Sequence, residues 1–252
     1  MSNKNGRVAL VTGGTGGIGS EICKTLAKEG YQVIAGYYSG GKHEKAQQWQ
    51  IEANKEGLDI ALAFGNISDW ESSEACIEGI RKEFGGIDVL VNNGGITRDT
   101  TVKKMTPQQW HDVISTNLTS VFNMTRLVIN DMLDKKWGRI INISSVNAEK
   151  GQFGQANYSA AKAGMHGFTK AVAQEVAAKG VTVNTVSPGY IATSMIMDVP
   201  EEIRENIKKG IPVGRFGTPQ DIARVVSFLA SDESSFITGS NISANGGQHM
   251  HG

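Results

Sequence analysis

The sequence is short of the residues that mark stapled, extended or membrane-spanning proteins. It has 2 cysteines and 5 prolines in 252 residues. Cys23 and Cys76 fall in different expected helices. No disulfide framework follows, their spacing suits no zinc site, and both read as small packing residues. No apolar run approaches the ~20 residues needed to cross a bilayer. The opening MSNKNGRVALVTGG has an apolar run too short for a signal peptide, and it leads straight into a glycine loop. Neither sign of charge is in excess, with 25 basic and 25 acidic side chains. A general nucleic-acid or membrane-surface binder needs a basic surplus, so both classes are set aside. The expectation is a cytoplasmic protein whose 39% hydrophobic content builds a substantial core.

Glycine is what the chain has in quantity, 31 residues in all. The glycines sit between apolar stretches, where they serve tight turns and close backbone approaches rather than a low-complexity tract. Short Val- and Ile-rich runs predict strands at 7–13, 32–37, 60–64, 87–93, 138–144, 181–187 and near 236–243. Amphipathic stretches predict helices at 17–29, 43–56, 69–84, 106–134, 156–179 and 218–231. Thr106-Pro107 and Thr218-Pro219 each place an N-cap before a proline at the first helical position. Gly30, Gly57 and Gly180 follow predicted helices, as left-handed C-terminal residues do. Strand and helix alternate throughout, and nothing splits the chain. The expected fold is α/β: one doubly wound, Rossmann-type domain over 1–252, with about seven parallel strands and helices on both faces. The segment 190–217 breaks the alternation and is expected as a rim insertion.

TGGTGGIG (12–19) follows the first strand and opens the first helix. Glycines there let a pyrophosphate approach backbone N–H groups at a helix N-terminus. The literal G-x-G-x-x-G is Gly14, Gly16 and Gly19. The expected cradle comprises Gly13, Thr15, Gly16, Gly17, Ile18 and Gly19. An NAD site carries an acid about 20 residues on. Here the second strand ends Gly36, Tyr37, Tyr38, Ser39, followed by Lys42 and His43. With no acid to repel a 2′-phosphate, NADPH/NADP+ is the preferred cofactor. Lys42 is either its cationic partner or a solvated surface lysine.

Tyr158 and Lys162 are four apart in a helical stretch, so they share a face. Ser144 and Ser145 end a strand where parallel sheets bind ligands. Reducing a ketone needs a proton donor. A tyrosine can serve once a nearby ammonium lowers its ordinary pKa of ~10, and a serine hydroxyl can bond the oxygen that gains charge.

These segments together resemble the short-chain dehydrogenase/reductase family over almost the whole chain. Its T-G-x-x-x-G-x-G matches Thr12, Gly13, Gly17 and Gly19. Its N-N-A-G matches Asn92, Asn93 and Gly94, with Gly95 departing from the usual alanine–glycine pair. Its P-G matches Pro188 and Gly189. The resemblance implies Ser145, Tyr158, Lys162 and Asn117 as the catalytic set, with Asn117 supporting a water chain. It implies cofactor contacts from Tyr38, Gly65, Asn66, Ile67, Asn93, Gly94, Gly95, Pro188, Gly189 and Ile191. Asn66 stands where many members have an aspartate, and its oxygen is expected to accept from the adenine. A homotetramer is implied, with interfaces on the helices near 106–134 and 156–179.

NNGGITRD, SSVNAEKGQFGQANYSAAKAG and VSPGYIATSM resemble the branch that reduces acetoacetyl-CoA to a (3R)-3-hydroxyacyl thioester for polyhydroxyalkanoate synthesis. Gln152, Phe153 and Gln155 are then expected to line an acyl-thioester pocket bordered by Asp99 and Tyr190. Phe153 as packing and Asp99 as a loop cap stay open. The sister reading is a 3-oxoacyl-acyl-carrier-protein reductase, with Lys103, Lys104, Arg204, Lys208, Lys209 and Arg215 as candidate phosphate or carrier contacts. A non-catalytic NADPH sensor is the reading from another class, and the intact Ser–Tyr–Lys set argues against it. The 190–217 segment is expected to act as a lid. His249 and His251 lack an evident third metal ligand and read as tail, and His166 reads as packing.

Overall fold

Strand runs that are apolar on both faces require cover on both faces. The computed structural model of the chain describes residues 6–38 and 40–250 and shows that arrangement. Its strands are β1 (Val8–Thr12), β2 (Gln32–Tyr37), β3 (Ile60–Phe64), β4 (Val89–Asn92), β5 (Gly138–Ile143), β6 (Val181–Pro188) and β7 (Asn241–Ala244). The helices are α1 (Gly17–Lys28), α2 (Glu44–Lys55), α3 (Trp70–Phe84), α4 (Pro107–Ile114), α5 (Ser120–Lys135), α6 (Asn147–Lys150), α7 (Ala156–Val176), α8 (Ser194–Met197), α9 (Glu201–Lys209) and α10 (Pro219–Ala230).

The sheet order is β3-β2-β1-β4-β5-β6-β7, and every pairing is parallel. Successive side chains on a strand point to opposite faces. On β1, Ala9 and Val11 join one core with Ile22, Leu26, Ile222 and Val226 of α1 and α10. Val8 and Leu10 join the other, with Ile77, Met124, Val128 and Ala173 of α3, α5 and α7. The chain runs outward from β1 to β3 and returns to β4 beside β1. The carboxyl ends of β1 and β4 therefore flank the crevice where such sheets take ligands.

Three expected elements differ. The helix expected over 106–134 is interrupted by a π-helical turn at Ser115–Thr119 that carries Asn117. Such a turn inserts a residue into the helical ladder and recurs at functional sites. The last strand begins at Asn241 rather than near 236, because Gly239 adopts φ +70° and turns the chain first. The rim segment contains the two short helices α8 and α9. The start signals do hold: Thr106 and Thr218 each form a capping box, with Gln109 and Asp221.

A buried polar ladder seats α7 on the sheet. Asn92 Nδ2 donates to Asn142 Oδ1 at 2.9 Å, and Asn142 Nδ2 donates to Thr169 Oγ1 at 2.8 Å. Thr169 Oγ1 meets Thr185 Oγ1 at 2.8 Å. Asn142, Thr169 and Thr185 are all fully or nearly fully buried. Truncating a member strands partners away from water. Asn142→Ala is therefore expected to cost ~2–3 kcal/mol in urea unfolding, and an unchanged midpoint would contradict this role.

Candidate active site

The loop after β1 is shaped by close backbone approaches. Gly13 has φ +63° and Gly17 φ +41°. A Cβ on Gly19 would lie 2.2 Å from the Gly13 carbonyl oxygen, and one on Gly14 would lie 2.8 Å from Ala35 Cα. Gly16 has no neighbour within 4 Å of a built Cβ. It is the N-cap of α1 and offers no side-chain cap, and the first turn holds no acid. The N–H groups of that turn are thus open to an anion, at the positive end of the helix dipole. The end of β4 fixes the loop: Thr12 Oγ1 accepts from the amides of Asn93 (3.0 Å) and Gly94 (2.9 Å), while Asn93 Nδ2 donates to Thr12 O (2.9 Å).

A cavity of about 690 Å³ opens on one side of this loop, lined by Thr12, Gly13, Tyr38, Gly65, Asn66 and Ile67 among others. A second, of about 270 Å³, holds Ser145, Tyr158, Lys162, Gln155, Gly189 and Ile191. Gly95 and Ile96 border both, so the two cavities adjoin. The larger lies beside the glycine loop, and the smaller lies beside the catalytic candidates. Gly94 and Gly95 are both sterically fixed: a Cβ would lie 2.6 Å from Ile67 Cδ1 and 2.4 Å from Asn117 Oδ1, respectively.

The catalytic candidates come together. Lys162 is 3% exposed, and its Nζ donates to Ile143 O at 2.7 Å. Burial alone pulls its ammonium down to about 7. Its Nζ lies 5.6 Å from the centre of the Tyr158 ring. The expected lowering of Tyr158 by Lys162 is not what this arrangement gives. Burial pushes the phenol up, a hydrogen bond with Ser145 pulls it back in part, and Asp99 adds to the rise. Desolvation is the largest of these influences.

The other expected site residues occupy distinct places around the two cavities. Asn117 is fully buried and spends its side chain on Ile96, accepting from Ile96 N and donating to Ile96 O, both at 2.8 Å. It fixes the loop after β4 from its place in the π turn. Asn66 lines the larger cavity, and its Oδ1 accepts from the amide and the hydroxyl of Ser68, at 3.2 and 2.8 Å. Lys42 is exposed and outside the larger cavity, while Tyr38 lines it and packs against Phe64. Of the expected substrate residues, Gln155 and Tyr190 line the smaller cavity. Asp99 does not line it but accepts from Gln155 Nε2 at 2.8 Å. Phe153 is 86% exposed, and Gln152 accepts from Lys150 at 3.4 Å. Pro188 and Ile191 line the smaller cavity as expected. A Cβ on Gly189 would meet Gln248 Oε1 at 2.8 Å. His166 is not mere packing, because its Nε2 meets Ser144 Oγ at 3.0 Å.

Thr193, Asn147 and Ile96 also line the smaller cavity and were not picked out from the sequence. Thr193 lies against Gly17, 3.4 Å from a built Cβ. Its only cue was its place shortly after Pro188-Gly189. Among the described residues no group of three His, Cys, Asp or Glu side chains gathers as a metal site, and no helix is long and apolar enough to cross a membrane. His251 and Ser39 lie outside the described residues.

Two outcomes follow. Gly19→Ala drives a methyl into backbone that cannot yield, so dinucleotide binding is expected to be lost and stability to fall by ~1–3 kcal/mol; calorimetric titration at wild-type affinity would refute this. Lys162→Met removes a buried cation and is expected to abolish turnover while raising the thermal midpoint. A depressed lysine is costly to the fold below its native pKa of about 7, and the cost fades toward the ordinary 10.5. The gain should therefore be largest below pH 7 and shrink as pH rises. A midpoint lowered at pH 6 would contradict it.

The sequence pattern of the short chain dehydrogenases matches residues 7–204. The chain is 53% identical over 244 residues to an acetoacetyl-CoA reductase of Cupriavidus necator, covering 97% of this chain and 98% of that protein. It is 56% identical over 246 residues to an acetoacetyl-CoA reductase of Shinella zoogloeoides, covering 96% and 98%. A 3-oxoacyl-[acyl-carrier-protein] reductase of Escherichia coli is 46% identical over 248 residues, covering 98% and 99%. With its phosphate loop, crevice and Ser–Tyr–Lys cluster in one parallel sheet, the chain belongs to the short chain dehydrogenase family.

Proposed function

We propose that the protein reduces acetoacetyl-CoA, and related 3-oxoacyl-CoA thioesters, to the (3R)-3-hydroxyacyl-CoA with NADPH, the step that feeds polyhydroxyalkanoate synthesis. The observation that carries this reading is the meeting of Ser145, Tyr158 and Lys162 around one small cavity beside an uncapped helix N-terminus. The acetoacetyl-CoA reductases among its relatives support the substrate.

Family membership implies a nicotinamide cofactor, and the residues fit one. The open first turn of α1 suits a pyrophosphate, with Gly13, Thr15, Gly16, Gly17, Ile18 and Gly19 around it. Tyr38, Gly65 and Ile67 flank the adenosine side, and Asn93, Pro188 and Ile191 flank the nicotinamide side. Gly36-Tyr37-Tyr38 puts no carboxylate at the end of β2, which favours a 2′-phosphate. Lys42 is the next cation along the chain.

When bound, the reduced nicotinamide supplies hydride to the carbonyl carbon. Ser145 donates its hydroxyl to the carbonyl oxygen, where negative charge grows. Tyr158 then gives up its phenolic proton: the tyrosine O–H breaks, the alcohol O–H forms, and a phenolate remains. Burial keeps that proton in place until the substrate oxygen takes on charge. The phenolate in turn favours the charged form of Lys162, and a proton drawn from the solvent restores the Tyr158 phenol before the next turnover. Gln155, held by Asp99 and Asn147, and Tyr190 border the acyl group, while exposed Phe153 and half-buried Gln152 stand at the rim for the thioester arm. Segment 190–217, with α8 and α9, acts as the lid. Exposed Trp110 and Phe122 on α4 and α5 support self-association as a homotetramer.

NADPH oxidation followed by absorbance tests the reading. Turnover with acetoacetyl-CoA, slower turnover with NADH, and a loss of ~10²–10⁴-fold in Tyr158→Phe are expected. No turnover by a folded, NADPH-binding protein would sink the substrate. Faster turnover of acyl-carrier-protein thioesters would transfer the protein to the sister reaction, which exposed Lys103 and Lys104 would serve. Proteolysis within 190–217 should slow when both ligands bind, and an unchanged rate would remove the lid.

A further inference from the structure

Joined to the catalytic cluster through Ser144 and Lys162 is a chain of polar contacts that the reaction scheme leaves unused. Ser144 Oγ donates to Lys162 O at 2.9 Å, and Lys162 Nζ donates to Ile143 O at 2.7 Å. Two consecutive residues at the end of β5 thus grip Lys162 at its backbone and at its side-chain tip. Ser145, the next residue, is the one that meets the substrate oxygen. His166 lies one turn beyond Lys162 on α7, and its Nε2 sits 3.0 Å from Ser144 Oγ and 3.4 Å from Ser187 Oγ.

Counting protons assigns the histidine. A hydroxyl has one hydrogen to give. Ser144 spends its hydrogen on Lys162 O, and Ser187 spends its own on Asn241 Oδ1 at 2.8 Å. Both oxygens can then only accept from His166. Nε2 must carry the proton, and one N–H is shared between two hydroxyls. Asn241 and Ser243 of β7 donate in turn to Glu149 Oε1 of α6, the helix directly after Ser145. The network runs from α6 through β7 and β6 to α7, and closes on Lys162.

We propose that His166 is a positioning residue for the reduction. Its Nε2–H fixes the Ser144 rotor, which holds the β5 end and α7 in the register that brings Ser145, Tyr158 and Lys162 together. This rests on the reductase reading for its kinetic consequence but not for its tautomer. Small displacements of reacting groups are costly in rate and leave binding largely intact. Glutamine places an N–H close to the Nε2 position, asparagine places one near Nδ1, and leucine supplies none.

The test combines kinetics with nitrogen-15 NMR of the imidazole. His166→Leu should lower kcat by ~tenfold with KM within about twofold, and His166→Gln should recover most of the loss where His166→Asn does not. Ser144→Ala should match His166→Leu, and the double variant should be no worse than either. His166→Leu at wild-type kcat, or Gln and Asn variants equally impaired, would overturn the proposal. If leucine prevents folding, the Gln–Asn comparison still decides. The NMR spectrum of the wild-type protein should show the ring protonated at Nε2, and a ring whose Nε2 carries no proton would overturn the proposal whatever the substrate. A wild-type protein inactive on acetoacetyl-CoA but carrying the Nε2–H tautomer would instead remove the substrate reading alone.

Discussion

A lysine ammonium sits in the interior of this protein, and among the described residues no carboxylate forms an ion pair with it. Lys162 is held by a main-chain oxygen and surrounded by packed strand and helix. A lone buried charge is costly, so the surrounding structure has to impose it. Four pieces do so: the end of β5, the first turns of α7, the Asn117 turn, and Gly95. A Cβ on Gly95 would come within 3.5 Å of the Lys162 ammonium and closer still to Asn117. The depressed affinity of Lys162 for its proton is the consequence, and in the proposed reduction it suits a group that lends positive charge when a phenolate forms beside it.

The fold supplies this placement through its parallel sheet. All seven strands deliver their carboxyl ends to one edge, where β1 gives the phosphate loop, β4 the Asn93–Ile96 wall, β5 the serines and β6 the Pro188–Ile191 wall. Close approaches keep that edge narrow. Thr12 and Asn93 stitch β1 to β4, and the Asn92–Asn142–Thr169–Thr185 ladder ties α7 across three strands. Polar groups in these positions are specific because each one, left unmatched, would destabilise the packing around it.

Much of this was legible in the sequence, because it rests on local pattern. Alternation of Val- and Ile-rich runs with amphipathic stretches specifies the sheet, and the proline-led capping boxes of α4 and α10 mark their own starts. Tyr158 and Lys162 declare their shared face through spacing alone. What the sequence hid depends on contacts between distant segments. The π turn at Asn117 has no composition cue, since it follows from tying that side chain to Ile96, twenty-one residues away. Asn66 turned out to be engaged by Ser68, and His166 by Ser144, because hydrogen-bond partners are set by packing. Spacing also led to the expectation that Lys162 lowers the Tyr158 phenol, whereas burial raises it, because spacing shows proximity and only burial shows what proximity is worth.

The most direct measurement is a pH titration of the lysine side chains by carbon-13 NMR at the ε position, in the free protein, with Lys162→Met to assign the signal. One lysine titrating near pH 7, absent from the variant, is the predicted result. A Lys162 signal that moves with the other lysines near their ordinary value would contradict the account, because the ammonium would then be solvated or paired and the site would not be organised around its burial.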